Sequence, residues 1–165
     1  MKIGIVGTGN IAARHLEEFN KIDNVKVEAA CDTNKDNLEK FLSLNNKYKI
    51  RGYTNLDEML SNEKNFDGIT NATPDKFHKE TSIKVLNSGY NIFCEKPLAE
   101  NYEDAKKMVE AAVGAEKINM VNFTYRESSA YQKLVDIIKS GDVGVPRHVS
   151  ACYYQSWLSS NKWGN

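Results

Sequence analysis

The sequence has no excess of charge of either sign and little cysteine. Lysine and arginine total 22 and aspartate and glutamate total 22, so the formal net charge is zero. Proteins that bind nucleic acid or anionic membranes through their overall charge carry a basic excess, and neither partner is expected here. The cysteines Cys31, Cys94 and Cys152 are far apart, unlike a zinc site or a disulfide framework. We expect three reduced thiols in the core and no metal site.

Long apolar runs are also missing. No stretch approaches the roughly 20 residues that span a bilayer, and Met1-Lys2 leads directly into an apolar run without a signal-peptide pattern. We therefore expect no membrane partner and a cytoplasmic location. The 165 residues can hold one domain of ordinary size and little more. A second domain would be incomplete.

Short apolar, β-branched runs alternate with longer stretches of helical period, as in βαβ units around a parallel sheet. Strands are predicted at residues 2–7, 25–31, 50–53, 67–71, 91–94 and 118–122. Helices are predicted at residues 10–21, 34–44, 55–62, 75–87 and 100–113. This pattern predicts a Rossmann-type, doubly wound α/β domain over residues 1–123.

Two of these helices carry start or stop signals. Thr73 is predicted to be the N-cap of the helix after the fourth strand, with Pro74 at its first helical position and Gly89 just past its end. Gly114 is predicted to end the next helix in the same way.

The last part of the chain has a different pattern. A helix is predicted over residues 127–140, and residues 147–157 alternate apolar and polar side chains as a half-buried strand does. A lone strand with one apolar face needs a sheet to join. Residues 124–165 are therefore interpreted as a linker helix and the first strand of an incomplete second α/β domain. The strand could also pair with its copy in a second chain, which would give a homo-oligomer.

A glycine-rich pattern, G-x-G-x-x-[G/A], follows the first predicted strand and opens a helix. The first glycine permits a tight turn, the second lets the backbone approach a pyrophosphate, and the small Ala12 lets the helix pack close to the strand. The exposed amides and the helix dipole attract phosphates. The predicted dinucleotide-binding residues of this loop are Gly7, Thr8, Gly9, Asn10 and Ile11.

The second predicted strand ends in Asp32, 20 positions beyond Ala12. A carboxylate there can accept hydrogen bonds from a ribose diol but would repel the 2′-phosphate of NADP, so NAD is predicted over NADP. Thr33-Asn34 supplies no arginine for that phosphate. The alternative is that the glycines make only a tight turn and Asp32 caps the next helix.

Polar residues follow the fourth and fifth strands, where open α/β sheets bind their ligands. The residues predicted to bind the cofactor there are Asn71, Ala72, Thr73, Pro74, His78, Glu95, Lys96 and Pro97. Lys96 is the candidate catalytic residue, because an ammonium can hydrogen-bond a substrate hydroxyl and stabilise a developing oxyanion. Position alone equally allows a surface lysine paired with Glu95. His78 is more commonly a satisfied, partly exposed side chain than an acid or base.

Taken together, these motifs resemble those of the Gfo/Idh/MocA family of oxidoreductases. The shared stretches are Gly4–Ala12, Tyr53–Leu60, Asn71–Pro74 with His78, Cys94–Ala99, Arg126 and Gly141–Gly144. The Glu-Lys-Pro motif is far more specific than the glycine loop.

The resemblance implies an NAD(P)-dependent oxidoreductase with a second α/β domain built on a large open sheet. It places Lys96 against the nicotinamide and the substrate hydroxyl and implies that the Lys96–Pro97 bond is cis. Family members are about twice this length, and their aspartate and histidine acid/base partners lie in the part that this sequence lacks.

Two functions follow as hypotheses. In the first, the chain is the cofactor half of an NAD-dependent dehydrogenase of a sugar, polyol or related hydroxyl-bearing compound. In the second, it is a non-catalytic nucleotide-binding or regulatory protein that retains only the Rossmann domain.

Overall fold

The computed structural model of the chain describes residues 1–154 and Ser156. The chain divides into two compact units, the first being Met1–Phe123 and the second beginning at Thr124. The strands of the first unit are β1 (Lys2–Val6), β2 (Lys26–Cys31), β3 (Arg51–Tyr53), β4 (Gly68–Asn71), β5 (Ile92–Cys94) and β6 (Asn119–Val121). Its α-helices are α1 (Asn10–Phe19), α2 (Lys35–Leu44), α3 (Leu56–Asn62), α4 (His78–Asn87) and α5 (Tyr102–Ala115). All the predicted strands and helices of this unit are present, with ends that differ by a few residues.

Two predicted helix ends are wrong. Thr73 is not an N-cap: Pro74 has extended backbone and precedes a 3₁₀ turn, Asp75–Phe77, after which α4 begins. The Thr73 hydroxyl donates instead to the Asn71 side chain. Gly114 lies inside α5, and Glu116 takes the left-handed conformation that follows the helix. Gly89, with a φ of 83°, does follow α4 as predicted.

The strands form one sheet in the order β3-β2-β1-β4-β5-β6, and every pair is parallel. The predicted Rossmann-type fold is therefore confirmed. Val6, the last residue of β1, pairs with Cys31 of β2 on one side and Asn71 of β4 on the other. Asn71 in turn pairs with Cys94. The loops that follow these strands therefore leave the sheet side by side.

The sheet has an apolar layer on each face because successive strand side chains point in opposite directions. On one face, Ile3, Ile5 and Val27 pack with α1 and α2 residues such as Leu16 and Phe41. On the other face, strand residues pack with buried side chains of α3, α4 and α5, namely Met59, Val85, Leu86 and Ala112. Both faces are covered, as a parallel sheet requires.

The second unit contains a 3₁₀ helix, Thr124–Glu127, and α6 (Ser129–Ser140). The strand predicted at residues 147–157 is wrong over residues 147–154, which have no regular structure; of the remainder, only Ser156 is described. Alternation marks one apolar face, but a strand also needs a partner for its backbone groups. Cys152 is exposed, against the predicted core position, whereas Cys31 and Cys94 are buried. No helix of the described residues is long and apolar enough to cross a membrane.

Leu16 tests the layer between α1 and the sheet. Its side chain is 0% exposed, so Leu16→Ala leaves a cavity and should lower the free energy of unfolding by roughly 2–5 kcal/mol. The matched control is Leu44→Ala at the end of α2, where the side chain is 74% exposed. Chemical denaturation of the two variants should separate them clearly. Equal losses would contradict this assignment of the core.

Candidate functional site

The loop after β1 passes directly against the loop after β4. Gly7 has a φ of 87°, which a residue with a side chain rarely adopts. A Cβ atom at Gly7 would lie 2.6 Å from the carbonyl oxygen of Ala72. The Gly7 amide donates to the Cys31 carbonyl oxygen at 2.8 Å. Only glycine therefore fits this crossing of the two backbones.

Gly9 and Ala12 set the approach to the first helix. Gly9 is the N-cap residue of α1, and a Cβ atom on it would have no protein atom within 4 Å. Ala12, a residue of α1, is fully buried in the core layer that contains Ile3, Ile5 and Val27. The first turn of α1 carries no acidic side chain, so no carboxylate of that turn neutralises the positive end of the helix dipole.

Asp32 is held in place by three donors. Its Oδ2 atom accepts hydrogen bonds from the amide and the hydroxyl of Thr8 at 2.8 and 2.7 Å. Its Oδ1 atom accepts one from the Asn34 amide at 2.8 Å. The glycine loop and the end of β2 are thereby joined, and the carboxylate keeps capacity for a further donor.

The turn after β4 is organised by a buried amide. The Asn71 side chain accepts hydrogen bonds from the backbone and hydroxyl of Thr73 and donates to the His78 carbonyl and the Ser82 hydroxyl. Asn71 and His78 are both 0% exposed. The expectation that His78 is partly exposed is therefore wrong. Asn71 and His78 support the loop after β4 as buried residues.

Glu95 is buried, and its Oε2 atom accepts a hydrogen bond from the Lys96 backbone amide at 3.2 Å. Its Oε1 atom lies 2.7 Å from His15 Nε2 and accepts a hydrogen bond from the Asn122 side chain at 2.6 Å. The other His15 nitrogen lies 2.9 Å from the Thr70 hydroxyl. Burial alone would raise the pKa of Glu95, but the hydrogen bonds from His15 and Asn122 lower it below the usual value. The carboxylate is therefore ionised at neutral pH.

The Lys96 side chain is exposed. The Lys96–Pro97 peptide bond is cis, as the resemblance implied. The alternative of a surface pair between Lys96 and Glu95 is not seen. Among the described residues, the ion pairs include Glu95 with His15 but none with Lys96. The ammonium is therefore available to a ligand at the end of β5.

A cleft of about 800 Å³ runs along the carboxyl end of the sheet. The predicted site residues that line it are Gly7, Gly9, Ile11, Asp32, Ala72, Thr73 and Pro74. Thr8, Asn71 and His78 are buried residues that support its walls, while Asn10, Glu95, Lys96 and Pro97 lie outside the cleft.

Two groups of residues at the site are not predicted from the sequence. Thr54 and Asn55, which follow β3, also line the cleft, and their position at the carboxyl end of a strand was a usable signal. His15, Thr70 and Asn122 hold Glu95. No local pattern marks that contact, because His15 and Glu95 are 80 positions apart.

These features fit a dinucleotide. The open space at Gly9 and the positive N-terminus of α1 suit a pyrophosphate, and the fixed Asp32 carboxylate suits a ribose diol. The shape and chemistry of the cleft therefore agree with the sequence motif.

Comparison with known proteins identifies the family. The family model described as "Oxidoreductase family, NAD-binding Rossmann fold" matches residues 1–123. Inositol 2-dehydrogenase from Salmonella paratyphi B is 29% identical over 160 residues, which are 94% of this chain and 46% of that protein. Glucose-6-phosphate 3-dehydrogenase from Bacillus subtilis is 31% identical over 139 residues, which are 84% of this chain and 37% of that protein.

Among solved structures, the WlbA dehydrogenase from Bordetella pertussis, in complex with NADH and UDP-GlcNAcA, superposes with a TM-score of 0.79. It is 29% identical and covers 87% of this chain, which matches 43% of that protein. The chain thus spans about half the length of the curated relatives it matches. By its motifs, its sheet and the match over residues 1–123, the chain belongs to the Gfo/Idh/MocA oxidoreductase family, with an NAD-binding Rossmann fold.

Proposed function

We propose that this chain binds NAD(H) and forms the cofactor half of a dehydrogenase of a hydroxyl-bearing compound such as a sugar or polyol. The observation that carries the proposal is the placement of Gly9, Asp32 and Lys96 after β1, β2 and β5, whose carboxyl ends lie at the same edge of one parallel sheet. The names of the relatives, inositol and glucose-6-phosphate dehydrogenases, support this substrate class. When bound, the nicotinamide would supply the hydride acceptor or donor.

Different residues of the chain are proposed to bind the pyrophosphate, the adenosine ribose and the substrate oxygen. The backbone at Gly9 and the amides of α1 would hold the pyrophosphate, because no side chain fills that space. Asp32 would accept hydrogen bonds from the adenosine ribose. Lys96, which has no ion pair among the described residues, would hydrogen-bond the substrate oxygen and stabilise negative charge developing on it.

NAD is proposed over NADP because of the charges that line the cleft. Three carboxylates, Asp32, Asp57 and Glu80, face a single lysine, Lys84. Lys84 already donates to Asp57 at 2.8 Å. Among the described residues that line the cleft, none is an arginine or a second lysine that could bind a 2′-phosphate.

Residues 1–123 are proposed as the cofactor domain and residues 124–165 as part of the substrate domain. The division of the chain at Phe123 supports this boundary. A cytoplasmic location is also proposed, and the free thiols of Cys31 and Cys94 support it.

Gly9→Ala tests pyrophosphate binding. The added methyl group meets no protein atom within 4 Å, so the fold should be unchanged while the Kd for NADH rises about tenfold or more. Gly114→Ala is the matched control, because its Cβ atom also meets nothing within 4 Å and it lies outside the cleft. Fluorescence titration with NADH gives both constants. Failure of the unmodified chain to bind millimolar NADH would overturn the proposed function.

Asp32→Ser tests the choice of cofactor. Loss of the carboxylate should weaken NADH binding about tenfold and strengthen NADPH binding, since the repulsion of the 2′-phosphate is removed. Asp36→Ser removes the same charge from an exposed position on α2 outside the cleft and should leave the ratio of the two Kd values nearly unchanged. An equal change of the ratio in both variants would show that net charge, not Asp32, sets the preference.

A further inference from the structure

His78 lies between the two loops that follow β4 and β5. Its side chain is 0% exposed. One ring nitrogen, Nδ1, is 2.7 Å from the carbonyl oxygen of Pro97, and the other, Nε2, is 2.8 Å from the carbonyl oxygen of Thr73. Both distances are those of strong hydrogen bonds.

Both partners are backbone carbonyls, and this fixes the protonation state of the ring. A carbonyl oxygen only accepts, and a neutral imidazole has one N–H group and one bare lone pair. A neutral ring would therefore direct a lone pair at an oxygen lone pair at hydrogen-bond distance. Two N–H donors remove that repulsion and satisfy both carbonyls.

The titratable groups near His78 do not oppose this state. Burial disfavours the charge, but the Cys94 side chain and the carbonyls of Pro97 and Thr73 raise the pKa of His78 to about 9. On α5, Asp104 is paired with Lys79 at 2.9 Å. Asp75 and Lys76 of the preceding 3₁₀ turn are exposed.

We propose that His78 is an imidazolium at neutral pH and fastens the Thr73–Pro74 turn to the Lys96–Pro97 loop, as a positioning residue for the nicotinamide side of the site. Its protonation state stands on geometry alone, whereas its positioning role rests on the proposed NAD(H) function. Thr73 and Pro74 line the cleft, and Lys96 directly precedes the carbonyl that His78 holds. The ring thus joins the cleft wall to the candidate catalytic lysine.

Nitrogen NMR of the histidine-labelled chain tests the charge. At about pH 7.5, two protonated ring nitrogens are expected for His78, and they should persist until the pH approaches its pKa of about 9. His15→Gln and His148→Gln assign the spectrum by removing the other two histidines, since the chain has three. A neutral tautomer of His78 at that pH would overturn the proposal.

Binding of NADH and ADP tests the positioning role. ADP carries the adenosine and pyrophosphate but no nicotinamide. In His78→Gln, one amide cannot hold both carbonyls, so the Kd for NADH should rise about tenfold while the Kd for ADP changes little. His148→Gln, which alters an exposed histidine, should change neither. Equal losses for both ligands, or no loss, would overturn this role.

Chemical shifts in the wild-type chain provide the same comparison if His78→Gln does not fold. NADH should shift the His78 ring signals, and ADP should not. Signals that respond equally to both ligands would overturn the positioning role. So would signals that respond to neither ligand although NADH binds. A wild-type chain that binds no NADH refutes the proposed function and with it the positioning role, but the ring's protonation state is still decided by the spectrum.

Discussion

The site depends on the crossing of two backbones at Gly7 and Ala72. A Cβ atom at Gly7 would lie 2.6 Å from the Ala72 carbonyl oxygen, so the loops after β1 and β4 are as close as packing allows. This approach follows from the strand order, which places β1 beside β4. Gly7 and Ala72 both line the cleft, and Gly9, two positions further along, has open space where a side chain would lie.

The first unit could be predicted from sequence because its local signals agree with one another. Apolar strands, amphipathic helices and the glycine loop all require the same parallel sheet. The predictions failed where a pattern was compatible with more than one structure. Gly114 lies within a helix although glycine is common at helix ends. The alternation over residues 147–157 marks an apolar face, but a strand also requires a neighbouring strand, and residues 147–154 form no strand in the structure.

The buried polar contacts of the site could not be predicted in this way. His15 belongs to α1 and Glu95 follows β5, and their contact depends on how the helix lies across the sheet. Sequence spacing carries no information on that angle. The burial of His78 was equally inaccessible, because a histidine near a helix start is compatible with exposure or burial. Strand ends indicate which residues can form a site, whereas tertiary packing decides which of them reach a ligand.

The structure separates the residues that would meet a ligand from those that hold them. Gly9, Asp32 and Lys96 present a bare backbone, a carboxylate and an ammonium at the open end of the sheet. The Asp32 carboxylate is fixed by two hydrogen bonds from Thr8. Lys96 shows the same principle most clearly: Glu95 before it is hydrogen-bonded by His15, and the Pro97 carbonyl after it by His78. An exposed lysine side chain has many rotamers. Because the residues on both sides of Lys96 are held by hydrogen bonds, the position of its backbone is defined even though its side chain is exposed.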